Sequence, residues 1–194
     1  MKNISSDTKR SRGRPARLGR GEGAAIAERL FHRDGYDQLG VAALCDALGV
    51  RQPALYRVFG SKAGLFEAAL ERYASGPFAS FVPEEAARSQ TPADLTRKVL
   101  STSADIYTDD PDRRGCLALE TAYGSADNEA RQAAKVLVDQ TRRFLTEKFT
   151  SLGARDAEAS ANAVILAMRG LSSEARAGRS KVELQKAVEA LISR

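Results

Sequence analysis

The sequence has 194 residues, of which 43% are hydrophobic, and its formal net charge is +5. This content suffices for one or two compact domains, and no apolar run approaches the roughly 18 residues that a membrane-spanning helix needs. Two cysteines cannot build a disulfide framework, and one histidine cannot build a multi-ligand zinc site. The basic N-terminus is not followed by an apolar signal segment. We therefore expect a cytoplasmic protein with no metal and no cofactor.

Positive charge is concentrated at the N-terminus. Residues 1–20 hold seven basic side chains and one acidic side chain, a net charge of +6, so the remaining residues sum to −1. Residues 1–18 have almost no apolar side chain to bury, and we expect them to form a disordered basic arm. A minor-groove contact is our hypothesis for one stretch of it, because arginines enter a narrow, electronegative groove. That stretch is Arg12, Gly13, Arg14 and Pro15. The alternative is a solubilising tail.

Two short helices separated by a glycine are predicted between residues 41 and 59. The first has an apolar face at helical spacing, formed by Val41, Leu44, Cys45 and Leu48. Gly49 ends it, since glycine enters the left-handed conformation without steric cost. The second begins near Pro53, which suits a first helical turn, and buries Val50, Leu55 and Phe59. This pattern predicts a helix-turn-helix.

A helix on each side is expected to support this pair. Residues 20–34 carry an apolar stripe that packs under the pair, and Gly35 ends that helix. His32 lies beside the stripe and is assigned to packing or to the solvent edge, without a catalytic role. After the pair, Ser61 is placed to cap another helix. Lys62 in its first turn opposes the helix dipole unless an anion, such as a DNA phosphate, lies nearby.

The run from residue 36 to residue 66 resembles the DNA-binding domain of the TetR family of bacterial one-component regulators. The resemblance is carried by Tyr36, Val41, Leu44, Cys45, Gly49, Val50, Leu55, Tyr56, Phe59, Gly60, Ser61, Lys62, Leu65 and Phe66. The sequence departs from the family at Cys45, where alanine is usual. It also departs at Leu39 and Gly40, where the family often has a threonine that caps the helix and touches a phosphate.

The outer face of the second motif helix holds the predicted DNA contacts. Arginine can bond a guanine edge, glutamine an adenine edge, and an alanine methyl can touch a thymine methyl. The base-reading candidates are Arg51, Gln52, Ala54 and Arg57. Tyr56 and Lys62 are expected to hold phosphates, which fix register without reading bases. The alternatives are a core position for Tyr56 and a solvated charge for Arg57.

The rest of the chain is predicted to be helical after one irregular connection over residues 75–91, which Gly76, Pro77, Pro83 and Pro92 indicate. Helical periods then recur over residues 95–107, 114–123 and 128–152, and in two further stripes near the C-terminus. No alternating strand pattern occurs. We therefore predict an all-α protein with a basic arm (1–18), a three-helix helix-turn-helix DNA-binding domain (19–74) and an effector-binding and dimerisation domain (75–194).

The C-terminal domain is expected to enclose an effector pocket between helices, as helical bundles commonly do. For most of its candidate wall residues we favour the alternative of plain core; the candidates are Tyr107, Cys116, Leu119, Tyr123, Phe144 and Met168. The last two helices carry apolar stripes that either cover the domain's own core or, as the resemblance implies, pair with their twofold mates in a four-helix bundle. The stripes are Ala157, Ala161, Val164, Ile165, Met168 and Leu171 in one helix, and Leu184, Ala187, Val188, Leu191 and Ile192 in the other.

Cys116 follows Arg113 and Arg114 at a predicted helix start, and both features lower a thiol pKa. Some TetR-like regulators carry a Gly-Cys pair at a similar place and respond through it to electrophiles or oxidants. The competing interpretation, which we favour, is that Cys116 is a packing residue, as is Cys45.

The resemblance implies a homodimeric transcriptional regulator, a repressor that binds a palindromic operator in double-stranded DNA and is released by a small-molecule effector. An architectural DNA-binding protein without an effector is the alternative. An enzyme is not expected, because no nucleophile, base and orienting group occur at an interpretable spacing and no phosphate-cradling loop is present.

Overall fold

A computed structural model describes residues 18–193, which form ten α-helices and no strand. The prediction of an all-α protein is therefore confirmed over these residues. None of these helices is long and apolar enough to cross a membrane. In chain order they are α1 (Arg20–Asp34), α2 (Val41–Leu48), α3 (Gln52–Phe59), α4 (Lys62–Ala74), α5 (Pro77–Arg88), α6 (Pro92–Asp109), α7 (Leu117–Gly124), α8 (Asn128–Ser151), α9 (Ala157–Arg176) and α10 (Lys181–Ile192).

Helices α1 to α3 form the unit that we call the head, and α2 and α3 are the predicted helix-turn-helix. Gly35 and Gly49 end α1 and α2 where the sequence predicts. Gly49 is left-handed, with φ 64°, and its N–H donates to the carbonyl of Asp46. Gly40 precedes α2 and provides no side-chain cap, as expected for glycine. Short-range sequence signals, here glycines, thus set where the helices of the head begin and end.

Helix α4 packs on the head and on the remaining helices, α5 to α10, which we call the body. Its first turn is capped as predicted, since the Ser61 hydroxyl accepts from the N–H of Gly64 at 2.9 Å. Phe66 contacts the rings of Phe31 and Tyr36, with centroids 5.2 and 4.9 Å apart. Tyr73, near the other end of α4, packs edge-on against His32. The same helix therefore lies beside α1 and α3 and beside α5 and α8.

The predicted irregular connection over residues 75–91 is wrong, because α5 occupies most of it. Pro77 stands in the first turn of α5, where its missing N–H costs no helical bond. Pro83 lies inside the helix and does remove one bond. Phe81, Val82 and Ala86 nevertheless form a buried face against α4, α6 and α8. Burial of this face offsets the propensity cost of Pro83.

The body differs from the prediction at α7, which begins at Leu117 rather than at Arg114. Gly115 has φ +78°, and Cys116 is an extended N-cap, so neither residue continues a helix. A Cβ at Gly115 would lie 2.8 to 2.9 Å from atoms of Ser172 and Arg176. Only glycine fits this crowded, left-handed position.

The predicted stripes of the last two helices cover the chain's own core. Four-helix pairing through those stripes is therefore wrong for the buried members, which are Ala161, Val164, Ile165, Met168, Leu171, Leu184 and Val188. The reason is that α9 packs on α6 and α8, and α10 packs on α6, within one chain. Leu191, a member of the α10 stripe, is instead 58% exposed, and Leu166 of α9, which lies outside the α9 stripe, is 67% exposed.

Candidate nucleic-acid interface and effector cavity

Helix α3 divides cleanly into a buried and an exposed face. Leu55 and Phe59 are buried in the head core, and the guanidinium of Arg20 lies 5.6 Å from the centre of the Phe59 ring. On the opposite side, the base-reading candidates Arg51 and Gln52 are exposed. Arg51 is the N-cap of α3 and Gln52 is its first residue. Both side chains therefore project from the start of a helix that the core holds rigidly.

The remaining base-reading candidates extend the same exposed face. Arg57 is exposed and Ala54 is half-buried. Within residues 18–193, the side chains of Arg51, Gln52 and Arg57 form no hydrogen bond or ion pair with another described residue. Their donors and acceptors are available to an external partner. The hydrogen-bonding groups that could read base edges thus lie together along less than two turns of α3.

The two predicted phosphate contacts have different surroundings. Tyr56 is 43% exposed, so it is not a core aromatic residue. The ammonium of Lys62 lies 4.0 Å from the centre of the Tyr36 ring. Partial burial lowers the pKa of Lys62, and the nearby carboxylates of Asp37 and Asp127 act in the opposite direction. Lys62 therefore already has favourable partners within the chain, and a phosphate is not needed to offset its place in a first helical turn.

The predicted minor-groove stretch of Arg12, Gly13, Arg14 and Pro15 lies outside the described residues.

A small, mostly apolar cavity of about 40 Å³ lies in the body, next to α4. Four predicted pocket residues line it, namely Tyr107, Cys116, Leu119 and Met168. The other wall residues were not predicted from the sequence; they are Tyr73, Phe81, Val82, Ala118, Leu137, Val138, Thr141 and Ile165. Tyr73 comes from α4, so the cavity is in direct contact with the helix that packs on the head.

Two predicted pocket residues do not line this cavity. Tyr123 is 38% exposed, its hydroxyl accepts from Arg142 at 3.1 Å, and the guanidinium of Arg169 lies 4.4 Å from its ring centre. Phe144 is half-buried and packs against the core from α8. The helical spacing of apolar residues predicts that Tyr123 and Phe144 lie on amphipathic helices. It does not predict which face of each helix lies against the cavity.

Cys116 lines the cavity with a buried thiol. Burial raises the pKa of Cys116, although hydrogen bonds, the first of them from Tyr73 at 3.3 Å, act to lower it. The neighbouring arginines have other partners: Arg113 pairs with Glu28 at 2.6 Å, and Arg114 donates to the carbonyl of Ala175. The prediction of a lowered thiol pKa is therefore wrong, and the packing interpretation agrees with the burial.

A polar junction joins the cavity wall to the head. The Nε2–H of His32, on α1, donates to the carbonyl of Gly115 at 3.0 Å. Arg176, on α9, donates to the carbonyl of His32 at 2.7 Å. The backbone N–H of Cys116 donates to the Ser172 hydroxyl at 2.8 Å. Residues 115–116 therefore contact the head on one side and the cavity on the other.

A second junction lies at the start of α8. The Tyr36 hydroxyl donates to the carboxylate of Asp127 at 2.8 Å. The carboxylate of Asp37 accepts from the Ser125 hydroxyl and from the N–H of Ala126, at 3.0 and 3.1 Å. Burial and the bond to Asp127 raise the pKa of Tyr36, so this phenol stays protonated and continues to donate.

Comparison with known proteins agrees with this arrangement. The sequence model of the tetR family of bacterial regulatory proteins matches residues 25–69, which lie within α1 to α4. The HTH-type transcriptional repressor BdcR of Escherichia coli (strain K12) is 30% identical over 175 residues, which are 89% of this chain and 86% of BdcR. The chain belongs to the TetR family. Its similarity to BdcR extends through the body as well as the head.

Other relatives of this TetR-family protein match to different extents. The HTH-type transcriptional repressor ComR of Escherichia coli (strain K12) is 43% identical over 65 residues, which are 34% of this chain and 31% of ComR. A solved structure of a cysteine mutant of the TetR family transcriptional regulator CifR, complexed with 26-base-pair double-stranded operator DNA, superimposes with a TM-score of 0.80. It is 26% identical, and the match covers 93% of this chain and 98% of CifR.

The contacts that sequence reasoning missed in this TetR-family protein are long-range. His32 and Gly115 are 83 positions apart, and Arg176 and His32 are 144 positions apart. No local period relates such pairs. Gly115 itself is a local signal for this contact, because a glycine just before a predicted helix indicates a backbone conformation that other residues avoid.

Proposed function

We propose that this TetR-family protein is a sequence-specific DNA-binding repressor that acts as a homodimer and leaves a palindromic operator when a small molecule enters the cavity. The observation that carries the proposal is the row of unpaired polar side chains on α3, held in place by a buried opposite face. BdcR and ComR, both named transcriptional repressors, support the assignment as a repressor. We expect the protein to act in the cytoplasm.

The proposed division of labour separates base reading from phosphate binding. Arg51, Gln52, Ala54 and Arg57 are proposed to face the major groove. Tyr56 and Lys62 are proposed to bind phosphates of the DNA backbone. The arginines of the arm are proposed to enter the minor groove. The operator complex of CifR, which shares the fold across most of the chain, supports DNA as the partner.

A homodimer is proposed because one short helix reads only a few base pairs, whereas two copies related by a twofold axis read a palindrome. Of the last two helices, α9 offers the more suitable outer face. Leu166 lies there among small exposed residues, Ala159, Ala163 and Gly170. The neighbouring α8 packs alongside α9 and exposes Val136. We therefore propose residues 75–194 as the effector-binding and dimerisation domain, with α9 central to the dimer.

Effector release is proposed to run through the two elements that touch both the cavity and the head. Tyr73 belongs to α4, whose first turn follows α3 directly. Cys116 follows Gly115, whose carbonyl holds His32 of α1. A molecule that enlarges the cavity displaces these walls and changes the tilt of the head. By linkage, operator DNA then weakens effector binding by the same factor as the effector weakens DNA binding.

The experiment that tests the function is selection of bound duplexes from a random DNA pool at physiological salt. The intact protein and a version lacking residues 1–18 are compared, with a Gln52→Ala variant as a matched probe of base reading. We expect a palindrome to be enriched, with lower affinity after truncation. Recovery of unenriched DNA by the intact protein would contradict a sequence-specific regulator. It would instead favour an architectural protein that binds through the basic arm.

A further inference from the structure

The cavity has one polar end, formed by two tyrosines and a thiol. Tyr73 and Tyr107 are both fully buried, and their hydroxyls lie beside the sulfur of Cys116. The Tyr73 hydroxyl donates to that sulfur at 3.3 Å, which uses its only proton. The Tyr73 oxygen is therefore left as an acceptor, and the donors at this end are the Tyr107 hydroxyl and the weak Cys116 thiol.

The Tyr107 hydroxyl is left without a partner. It is close to Ser103 and Cys116, yet it forms no hydrogen bond of ordinary geometry with any described residue. The hydroxyl of Ser103 donates to the carbonyl of Val99 at 2.7 Å. A fully buried hydroxyl without a partner is destabilising, and a ligand that supplies an acceptor removes this cost. The phenol of Tyr107 is thus a free donor at the cavity wall.

The charge of the walls limits the ligand further. None of the described residues that line the cavity carries a formal charge, and the remaining wall atoms are mostly apolar. A charged ligand would lose its hydration without gaining an ion pair, so charged molecules are disfavoured strongly. The Thr141 hydroxyl does not alter this, because it donates to the carbonyl of Leu137 in its own helix.

The volume limits the size. The cavity of about 40 Å³ is roughly a quarter of the 150 Å³ that accommodates benzene in a protein core. A molecule of a few non-hydrogen atoms therefore already presses on the walls, among them Tyr73 of α4. Because the cavity is this small, a bound molecule would displace its walls, and α4 would carry that displacement to the head.

We propose that the effector is a small, uncharged, largely apolar molecule with one hydrogen-bond acceptor, of the ketone type, whose oxygen accepts from the Tyr107 hydroxyl. This inference rests on the proposed release of DNA by a ligand in the same cavity. Tyr107 determines ligand specificity, because its hydroxyl donates to the acceptor oxygen of the ligand and stabilises no other part of it. Binding is non-covalent and leaves the Cys116 thiol unchanged.

The test uses three probes with the same five-atom skeleton and the full-length protein. Butanone carries the acceptor, 2-methyl-1-butene replaces the oxygen by a methylene group, and propionate adds a negative charge. Affinities are measured by titration followed by protein NMR. We expect butanone to bind about tenfold more tightly than the alkene, as one hydrogen bond to a buried donor provides, and propionate not to bind.

Variants assign the preference to one hydroxyl. Tyr107→Phe should raise the melting temperature of the free protein by about 2–4 °C, because it removes an unpaired buried hydroxyl, and should abolish the preference for butanone over the alkene. Thr141→Val is the matched control, since it removes a wall hydroxyl that already has a partner, and should keep the preference. The infrared carbonyl stretch of butanone bound to the unmodified protein should shift to lower frequency, which tests the hydrogen bond without any variant.

Equal binding of butanone and the alkene, or a preference that survives Tyr107→Phe, would overturn the assignment. Butanone binding that leaves the affinity for a selected operator unchanged would overturn its role as an effector mimic. Both outcomes differ from failure of the proposed function, in which no operator is selected at all.

Discussion

His32 is a buried imidazole that links the stability of the fold to pH. Burial, the largest effect, lowers its pKa from 6.5 to about 4, while the bond to the Gly115 carbonyl acts in the opposite direction. Because Nε2 donates to a carbonyl oxygen, the neutral imidazole carries its proton on Nε2. Below pH 6.5 the His32 imidazole is therefore readily protonated in the unfolded chain, whereas in the native protein it stays mostly neutral down to about pH 4.

The first prediction follows from that difference in proton binding. Between pH 6.5 and about 4 the unfolded chain binds a proton that the native protein does not, so His32 reduces stability as the pH falls, by about 3 kcal/mol in total. His32→Gln keeps an N–H donor at the Nε2 position but does not titrate. Free energies of unfolding measured by denaturant from pH 7 to pH 4.5 should fall less steeply for this variant. Equal slopes for the two proteins would contradict the depressed pKa.

The second prediction separates base reading from phosphate binding on the surface of the head. Gln52→Ala should cost roughly 1–3 kcal/mol on the selected operator and relax the preference at one base pair per half-site, with nonspecific DNA unaffected. Lys62→Met should weaken binding to all sequences and reduce the salt slope by about 0.9 for each phosphate that the protein no longer neutralises. The measurement is DNA affinity against salt concentration for both duplexes.

A structural role for Lys62 gives a different result in the same experiment. If its ammonium serves only the Tyr36 ring, Lys62→Met should lower the free energy of unfolding and leave the salt slope unchanged. Indistinguishable behaviour of the Gln52 and Lys62 variants would refute the proposed division of labour.

At the level of elements, the contact between the end of α3 and the start of α4 sets the position of the proposed recognition helix. Gly64 in the first turn of α4 makes this contact possible. A Cβ built at Gly64 would lie 2.1 Å from the carbonyl oxygen of Phe59, the last residue of α3. The two helices are therefore closer than any side chain at this position would allow.

The third prediction uses this contact. Replacing glycine by alanine within an exposed helix usually adds roughly 0.5–1 kcal/mol of stability. Gly64→Ala should instead destabilise the protein by roughly 1–3 kcal/mol, because the backbone of α3 must move, and should weaken operator binding as α3 tilts. Gly21→Ala is the control, since a Cβ at this exposed position in α1 meets nothing within 4 Å. A gain in stability from both substitutions would show that α3 and α4 separate without cost.

At the level of the whole molecule, the exposed apolar side chains of the last two helices are the candidates for pairing two copies. Most of the apolar residues that mark α9 and α10 in the sequence are buried in the core of one chain. What remains exposed on α9 is Leu166, and on α10 Val182 and Leu191. Removing such side chains from water is the main driving force for association.

The fourth prediction tests the proposed dimer. Leu166→Lys places a charge in the centre of the proposed α9 contact, so sedimentation should give a monomer, and affinity for the palindrome should fall by at least tenfold because two heads no longer bind together. Leu191→Lys is the matched substitution on α10 and should leave the dimer intact. Dissociation by Leu191→Lys alone would move the interface to α10, and a monomeric unmodified protein would contradict the dimer altogether.

The sequence alone determined the elements of the head and the start of α4. The ends of α1 and α2 at Gly35 and Gly49, the cap at Ser61 and the apolar spacing of Leu44, Leu48 and Leu55 are all short-range signals. They are encoded within a few residues of where they act, because helix termination and capping depend on local backbone conformation and local hydrogen bonds. Of these residues, Leu44, Gly49, Leu55 and Ser61 also carry the family resemblance.

Only the tertiary structure decided the rest. It turned residues 77–88 into a helix despite Pro83, placed Tyr73 and Tyr107 at one end of a cavity from which Tyr123 and Phe144 are absent, and buried Cys116 away from its neighbouring arginines. It also directed the stripes of α9 and α10 inward. A helical period states that a face is apolar, but it contains no information on which other helix covers that face. That choice depends on contacts between residues far apart in the chain, where packing overrides local propensity.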